Sequence, residues 1–352
     1  MSDQVSSRIQ AAVSTLADLS RRPALSAVVL SVQKRHFCPY EIRSLEIEGI
    51  RFDVLPDIGE VLNGSRRYDI CIVGGHNEND EALLFNLRHA NVASTYFAWL
   101  WDHHHHHMNF IRTSLLADVV FVSHWFDRQY LNHPLTLPGC HVPCFCRQWS
   151  PALIAREFPQ GLPVARQDEP YGGFGRYAWL PERNRFIDEL RPHFTSIWAG
   201  NIEEYFRLPV EERLRRWVER KVHLAIPVAN DVSLRIWEAL MTGQIPLVPL
   251  DVPDLDLMVP RELQDALPII RYEPLSVESL LAAWRKAVAR FDAEGAAGVQ
   301  RRHEYARDHH SLQSRLALFA KFVRQPPQFN LRTVGGMMHW ESWLPERAAG
   351  PA

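Results

Sequence analysis

Residues Lys221–Pro249 read KVHLAIPVANDVSLRIWEALMTGQIPLVP, and this stretch decides the fold. An apolar strand ends at Pro227, a polar turn follows, and a helix begins near Ser233. Asp231 or Ser233 is a suitable N-cap, and Gly243 ends the helix before the next strand, Ile245–Pro249. The first backbone N–H groups of such a helix lack intrahelical acceptors, and together with the macrodipole they make a seat for phosphate. Arg235 and Glu238 stand three positions apart and so share one helix face. A cation there meets phosphate, while a carboxylate one turn further accepts two hydrogen bonds from a ribose diol.

Working outward, short apolar runs alternate with helix-like stretches on both sides. Toward the N-terminus the strand candidates are 27–32, 51–55, 68–73, 94–99, 119–123 and 141–146, with helices near 39–48, 80–90, 108–116 and 125–131. Toward the C-terminus they are 171–173, 195–198, 222–227, 245–249 and 269–272, with helices at 182–190, 210–219, 233–241 and 277–293 and a long polar helix over 298–322. Continuous Val, Ile, Leu and Phe runs are the mark of strands buried on both faces, hence of parallel sheets flanked by helices. The expected fold is α/β, two Rossmann-like domains facing a central cleft. An amphipathic helix occupies 1–24, the first domain 25–150, a linker containing Pro151, Pro159 and Pro163 residues 151–169, and the second domain 170–325. The segment 326–352, with Phe329, Met337, Met338, Trp340 and Trp343, is too apolar to stand in water and is expected to pack back on the first domain.

The order strand, loop, helix with Glu238 followed by Ala239-Leu240 and then Gly243, then IPLVP, resembles the donor-binding signature of GT-B glycosyltransferases. The resemblance implies that Glu238 holds the donor ribose and that Asn230, Asp231, Ser233, Leu234 and Arg235 approach the sugar and diphosphate. Family members often carry a second Glu before the first; here that position is Asn230, with Asp231 beside it. A second stretch, Tyr171–Arg185 (YGGFGRYAWLPERNR), matches the start of the family's second domain. Gly173 there lets the backbone approach a ligand, and Arg176, Arg183 and Arg185 are placed to neutralise a diphosphate. The resemblance further implies the GT-B architecture, a nucleotide-sugar as cosubstrate, no cofactor and no metal.

In the first domain, Asp102–His107 reads DHHHHH directly after a predicted strand, at the end of the sheet where ligands bind. An acceptor hydroxyl must lose its proton as it attacks. Asp102 is the first candidate base and His103 the second. His104, together with His76 and Asn77 from the loop after strand 68–73, is assigned to the acceptor side. Consecutive histidines point in different directions and rarely complete one tetrahedral site, so metal binding by the run is the lesser reading. Cys140, His141, Cys144 and Cys146 are read as buried non-ligands rather than a zinc set.

The 352 residues carry 39 basic and 41 acidic side chains, a formal net charge of −2. No global basic field exists to attract nucleic acid, so an anionic ligand must be met by a local cluster. No apolar run approaches the length of a membrane span, the N-terminus lacks a signal-peptide core, and five cysteines form no disulfide framework; the expected location is cytoplasmic. The function expected is metal-independent transfer of a sugar, a hexose first among them, to a hydroxyl of a glycan, lipid-linked precursor, protein or small metabolite. Two other readings stay open. One is a non-catalytic sugar- or nucleotide-binding protein of the same architecture. The other is a metal-dependent phosphoesterase suggested by Asp102-His103-His104, whose further ligands are missing from the first strand, VVLSVQKRH at 28–36.

Overall fold

Hydrophobic runs become strands wherever neighbours can close both their faces, and that condition shapes each of the chain's two units. The computed structural model describes residues 2–31, 42–75, 78–102, 104, 107–126, 136–198, 202–334 and 337–343. One unit holds the described residues up to Cys144 and those from Gln313 onward; the other runs Phe145–Leu312.

In the first unit, α1 (Ser2–Arg21) leads to β1 (Leu25–Leu30), β2 (Ser44–Ile47), β3 (Ile50–Val54), α2 (Ile58–Asn63), β4 (Tyr68–Gly75), α3 (Glu78–His89), β5 (Ala93–Leu100), α4 (His107–Leu116), β6 (Val119–Val122) and β7 (Leu137–His141). The sheet order is β2-β3-β1-β4-β5-β6-β7, parallel throughout except for the β2–β3 pair. Chain order reverses at β1, which has β3 on one side and β4 on the other, with Val28 opposite both Asp53 and Cys71. Ligand-binding loops of such sheets gather at that reversal.

Two sequence expectations are corrected here. The stretch Ser44–Ile47 is not helical: it forms β2, folded back on β3 through Glu48 (φ 50°) and Gly49 (φ 71°). Two left-handed residues in succession are what a two-residue hairpin turn requires. The last strand lies at 137–141 rather than 141–146, because Gly139 admits the close approach of Val120 and Phe121 that a side chain would block. Most of the predicted helix 125–131 lies outside the described residues.

In the second unit, α5 (Pro151–Glu157) precedes β8 (Gly172–Gly173), α6 (Pro181–Leu190), β9 (Ile197–Trp198), α7 (Ile202–Arg207), α8 (Val210–Val218), β10 (Val222–Leu224), α9 (Leu234–Met241), β11 (Ile245–Pro249), α10 (Leu255–Met258), α11 (Arg261–Ala266), β12 (Ile270–Tyr272) and α12 (Val277–His310). Strands β10, β11 and β12 are parallel, and β8 pairs in parallel with β9. A bridge from Tyr171 to His223 joins the two ladders. The Pro-rich stretch is therefore not a bare linker. Ser150 caps α5, and Trp149, Leu153 and Ile154 enter the same core as Trp217, Trp237 and Leu240. The helices expected over 277–293 and 298–322 are redistributed. The first continues to His310 across a kink at Gly295 (φ 53°), and α13 (Leu312–Arg324) follows.

Helix α13 belongs to the first unit. Its Phe319 and Phe322 pack edge-on against Phe121 at centroid distances of 4.7 and 4.9 Å, and Phe319 meets Trp99 at 5.3 Å. Arg315, buried on the same helix, donates to the Cys144 carbonyl at 3.0 Å. The hairpin β13 (Gln328–Val334) and β14 (Met337–Trp343) completes this unit beside β7. The C-terminal part of this unit begins at Gln313, earlier than the boundary at 326 expected from the sequence.

Candidate functional site

The stretch that decided the fold closes as strand, loop, helix and strand, with Leu224 opposite Leu247 in the parallel ladder. The loop between β10 and α9 is tightly constrained. Ala229 (φ 49°) and Asn230 (φ 62°) both take left-handed backbone, and the Asp231 carboxylate accepts from the Val228 amide at 2.7 Å. Asn tolerates this conformation better than Ala does, since its side chain bonds locally. Ser233 caps α9 by accepting from the Arg235 amide, at a long 3.4 Å. The amides of Val232, Ser233 and Leu234 find no acceptor among the described residues. Three donors left open at a helix start are groups of the kind that can hold an anion. At the other end of α9, Gly243 takes φ 75° and the amides of Gly243 and Gln244 bond back to Leu240 and Ala239, closing the helix.

Glu238 is not the accessible carboxylate that a ribose contact calls for: it has no exposed surface. Its Oε2 accepts from Arg235 Nη1 at 3.2 Å and from Gln148 Nε2 at 2.8 Å. Its Oε1 is buried and has no donor among the described residues. Burial pushes the Glu238 carboxyl above the ordinary value, and Arg235 and Gln148 pull it back. A buried acceptor left without a donor costs roughly 1–3 kcal/mol, more when charged. Arg235 is only partly enclosed, with a fifth of its side chain exposed. Burial works against its charge, but Glu238 together with Tyr205 and Tyr171 outweighs that, so its guanidinium is held above the ordinary value.

A polar network missed by the sequence reading supports this pair. Gln148 Oε1 accepts from Tyr205 Oη at 2.9 Å and from Arg213 Nη1 at 2.8 Å. Tyr205 Oη accepts from Trp217 Nε1 at 2.9 Å. Arg213 and Arg235 both approach the Tyr205 ring, with guanidinium carbons 5.4 and 5.9 Å from its centroid. His223 is buried and stacks on Trp217 at 4.1 Å; burial first, and then Arg235, hold it well below the usual imidazole value, so it is neutral. Trp237 is core rather than ligand surface, stacked on His310 at 3.6 Å. A signal for Gln148 existed in the sequence, a lone amide among the large apolar and aromatic residues Phe145 and Trp149. Its partners come from helices that no motif links to it.

The basic residues expected near the diphosphate are placed differently from one another. Arg183 is buried and donates to the carbonyls of Pro227 (2.8 Å), Gly175 (2.8 Å) and Ile226 (3.1 Å). Its donors are taken up in fastening the loop, which corrects its role from ligand cation to strut. Arg176 is exposed and forms a two-pronged pair with Asp188 at 2.6 and 2.8 Å. Arg185 is exposed and lies 4.0 Å from Glu182. Neither points to a ligand by its contacts. Gly173 pairs with Trp198 in the short β8–β9 ladder and has no left-handed φ. Its neighbour Gly172 is the one that must lack a side chain, since a Cβ would meet the Phe174 ring at 2.7 Å. Asn230 is exposed, and Leu234 is half-buried.

In the first unit, Asp102 is half-buried just after β5. His104 is buried and packs against His124, which follows β6, with ring centroids 4.3 Å apart; Phe126 lies 5.9 Å from each ring. His124 was not anticipated. His103, His76 and Asn77 lie outside the described residues. Cys140 is not a ready metal ligand, because burial pushes its thiol up to about 12, and Cys146 donates to the Trp149 carbonyl.

No family model matches the sequence, and no curated protein matches it. Solved structures do resemble it in fold. Sucrose-phosphate synthase from Thermosynechococcus elongatus is similar over 86% of this chain and 98% of its own, at 12% identity and a TM-score of 0.47. The catalytic domain of starch synthase IV from Arabidopsis thaliana, bound to ADP and acarbose, is similar over 76% and 74%, at 10% identity and 0.49. An O-GlcNAc transferase mutant from Thermobaculum terrenum is similar over 87% and 68%, at 10% identity and 0.48. These are GT-B glycosyltransferases, and the likeness is one of backbone arrangement.

Proposed function

We propose that the chain is a glycosyltransferase that moves a sugar from a nucleotide-sugar to a hydroxyl acceptor without a metal. The observation that carries this is the pairing of two features on α9: three amides at its start with no acceptor among the described residues, and one turn further a carboxylate with one oxygen loaded and the other with no donor among them. The first suits a diphosphate and the second suits a sugar diol. The partial charges of the amides, with Arg235 beside them, stabilise the charge that develops on the leaving diphosphate, where a metal-dependent enzyme would use a cation. Asp102 serves as acceptor-side base in this reading. The absence of exposed surface on Glu238 means that a diol reaches Oε1 only when neighbouring groups give way.

That enclosure favours one second reading, a binding protein of the same build without turnover. Purified protein incubated with UDP-, ADP- and GDP-sugars and a panel of hydroxyl acceptors separates the two. Transfer or donor hydrolysis that persists in EDTA and disappears in Glu238→Ala supports the transferase. Binding of nucleotide-sugars with no consumption over hours supports the second reading. Failure to bind any of them ends both. No helix among the described residues is long and apolar enough to cross a membrane.

A further inference from the structure

We infer that Gln148 is a positioning residue that selects which oxygen of Glu238 is presented to the donor pentose. This rests on the role proposed for Glu238 above. Gln148 lies at a bend shortly before α5, is buried, and bonds with both ends of its amide. Which end is oxygen follows from its partners. Arg213 can only donate, and Tyr205, which accepts from the Trp217 indole, donates its own hydrogen onward; both therefore face the amide oxygen. An ionised Glu238 can only accept and therefore faces the amide nitrogen. Turning the amide over would set its N–H groups against Arg213 and its oxygen against the carboxylate, so one orientation is fixed.

The consequence falls on the carboxylate. With Gln148 and Arg235 both on Oε2, rotation of the Glu238 carboxylate would break two hydrogen bonds at once. Oε1 is thereby held as the acceptor without a donor among the described residues. A vicinal diol supplies two O–H donors, and the pentose of a ribonucleotide is the group of that kind at the right remove from a diphosphate. Arg235 alone would leave the carboxylate able to pivot about a single long contact. The Trp217–Tyr205–Gln148 chain is thus a second anchor, joining α8 and α7 to the helix that carries the carboxylate.

The test measures dissociation constants of UDP, ADP and GDP and of their 2′-deoxy counterparts by calorimetry between pH 5.5 and 8.5, for wild type, Glu238→Gln, Gln148→Met and Tyr205→Phe. The inference expects wild type to prefer a ribonucleotide, and both Glu238→Gln and Gln148→Met to reduce that preference about tenfold toward unity. It also expects Gln148→Met to begin losing affinity at a higher pH on acidification, because a carboxylate deprived of a donor is protonated more readily. Should Gln148→Met keep both the preference and the pH midpoint while Glu238→Gln loses the preference, the inference fails and the reading of Glu238 stands. A preference intact in Glu238→Gln, or a wild type that binds none of the nucleotides, overturns both. An equal loss for ribo and deoxy ligands at every pH marks a packing role and also overturns the inference. If Gln148→Met does not fold, Tyr205→Phe decides: a smaller shift in the same two readouts supports it, and an unchanged ratio and midpoint refute it.

Discussion

Replacing Arg183 by Ala separates a strut from a ligand cation. The residue is 7% exposed, and its guanidinium donates to three backbone carbonyls, two of them at the end of the run that leads into the loop before α9. Truncation leaves three acceptors facing a void. Each buried acceptor stranded in this way costs about 1–3 kcal/mol. Water can enter the vacated space and recover part of that, since the void is lined by polar groups. A net loss of roughly 2–4 kcal/mol follows, which for a domain of this size lowers the melting temperature by about 5–12 °C. Differential scanning calorimetry and urea titration measure it, and Arg183→Lys, which keeps the charge without the fork, is expected to lose about half as much. A variant that melts within a degree of wild type while nucleoside diphosphate affinity drops tenfold or more would refute the reasoning. It would return Arg183 to the role first read from the sequence.

The loop and a rim carboxylate give two further tests. Ala229 holds a left-handed backbone that costs an ordinary residue roughly 1–2 kcal/mol, and the added freedom of glycine in the unfolded chain offsets about 0.5–1 kcal/mol of the relief. Ala229→Gly is therefore expected to raise the urea midpoint slightly, and a lowered midpoint counts against the loop geometry. Burial opposes ionisation of Glu169, but hydrogen bonds from Thr195, Ser196 and Arg220 prevail and bring its carboxyl down to about 2. A carboxyl depressed on folding stabilises above its unfolded value, about 4.3, and that contribution is lost as pH falls toward 2. Glu169→Gln should be less stable at pH 7 and show a flatter decline between pH 5 and 2; parallel curves for variant and wild type would contradict the network.

The parallel alternation and the strand–loop–helix around Ser233 were legible because local patterns encode them: continuous apolar runs, an N-cap residue and a glycine at the helix end. What was not legible depends on contacts distant in sequence. Strand β2 reads as helix until the left-handed pair Glu48-Gly49 is seen to turn it onto β3. The proline-rich stretch reads as a linker because its buried Leu153 and Ile154, with Trp149 just before them, acquire meaning only from Trp217 and Leu240. Arg183 and Glu238 were read by residue type as surface groups reaching for a ligand. Charge in a sequence carries no sign of burial, and both side chains found their partners inside the fold. Gln148 escaped for the same reason, since a single amide acquires a role only from the groups it bonds, here Glu238, Tyr205 and Arg213.

The enclosed pair sets the final expectation, because it means the helix start carries little net charge of its own. Arg235 is matched by Glu238, and Asp231 stands in the loop beside them. A diphosphate seated on the amides of 232–234 is attracted by the dipole and by Arg235 but repelled by the Glu238 carboxylate. At an effective dielectric near 20, like charges about 8 Å apart repel by roughly 2 kcal/mol, and solvent near a part-exposed arginine screens a good share of that. Glu238→Gln removes the repulsion and leaves Arg235 uncompensated, so inorganic pyrophosphate should bind the variant about threefold to tenfold more tightly. The same variant should lose its preference for ribose over deoxyribose. The two halves of the site would then respond in opposite directions to one substitution. Calorimetry with pyrophosphate at low and moderate salt reads the first effect, which must shrink as salt rises. Weaker pyrophosphate binding by Glu238→Gln would mean that the carboxylate holds Arg235 in place for the phosphate rather than competing for it. The anion seat and the sugar-diol acceptor would then be one structural unit instead of two adjacent sites.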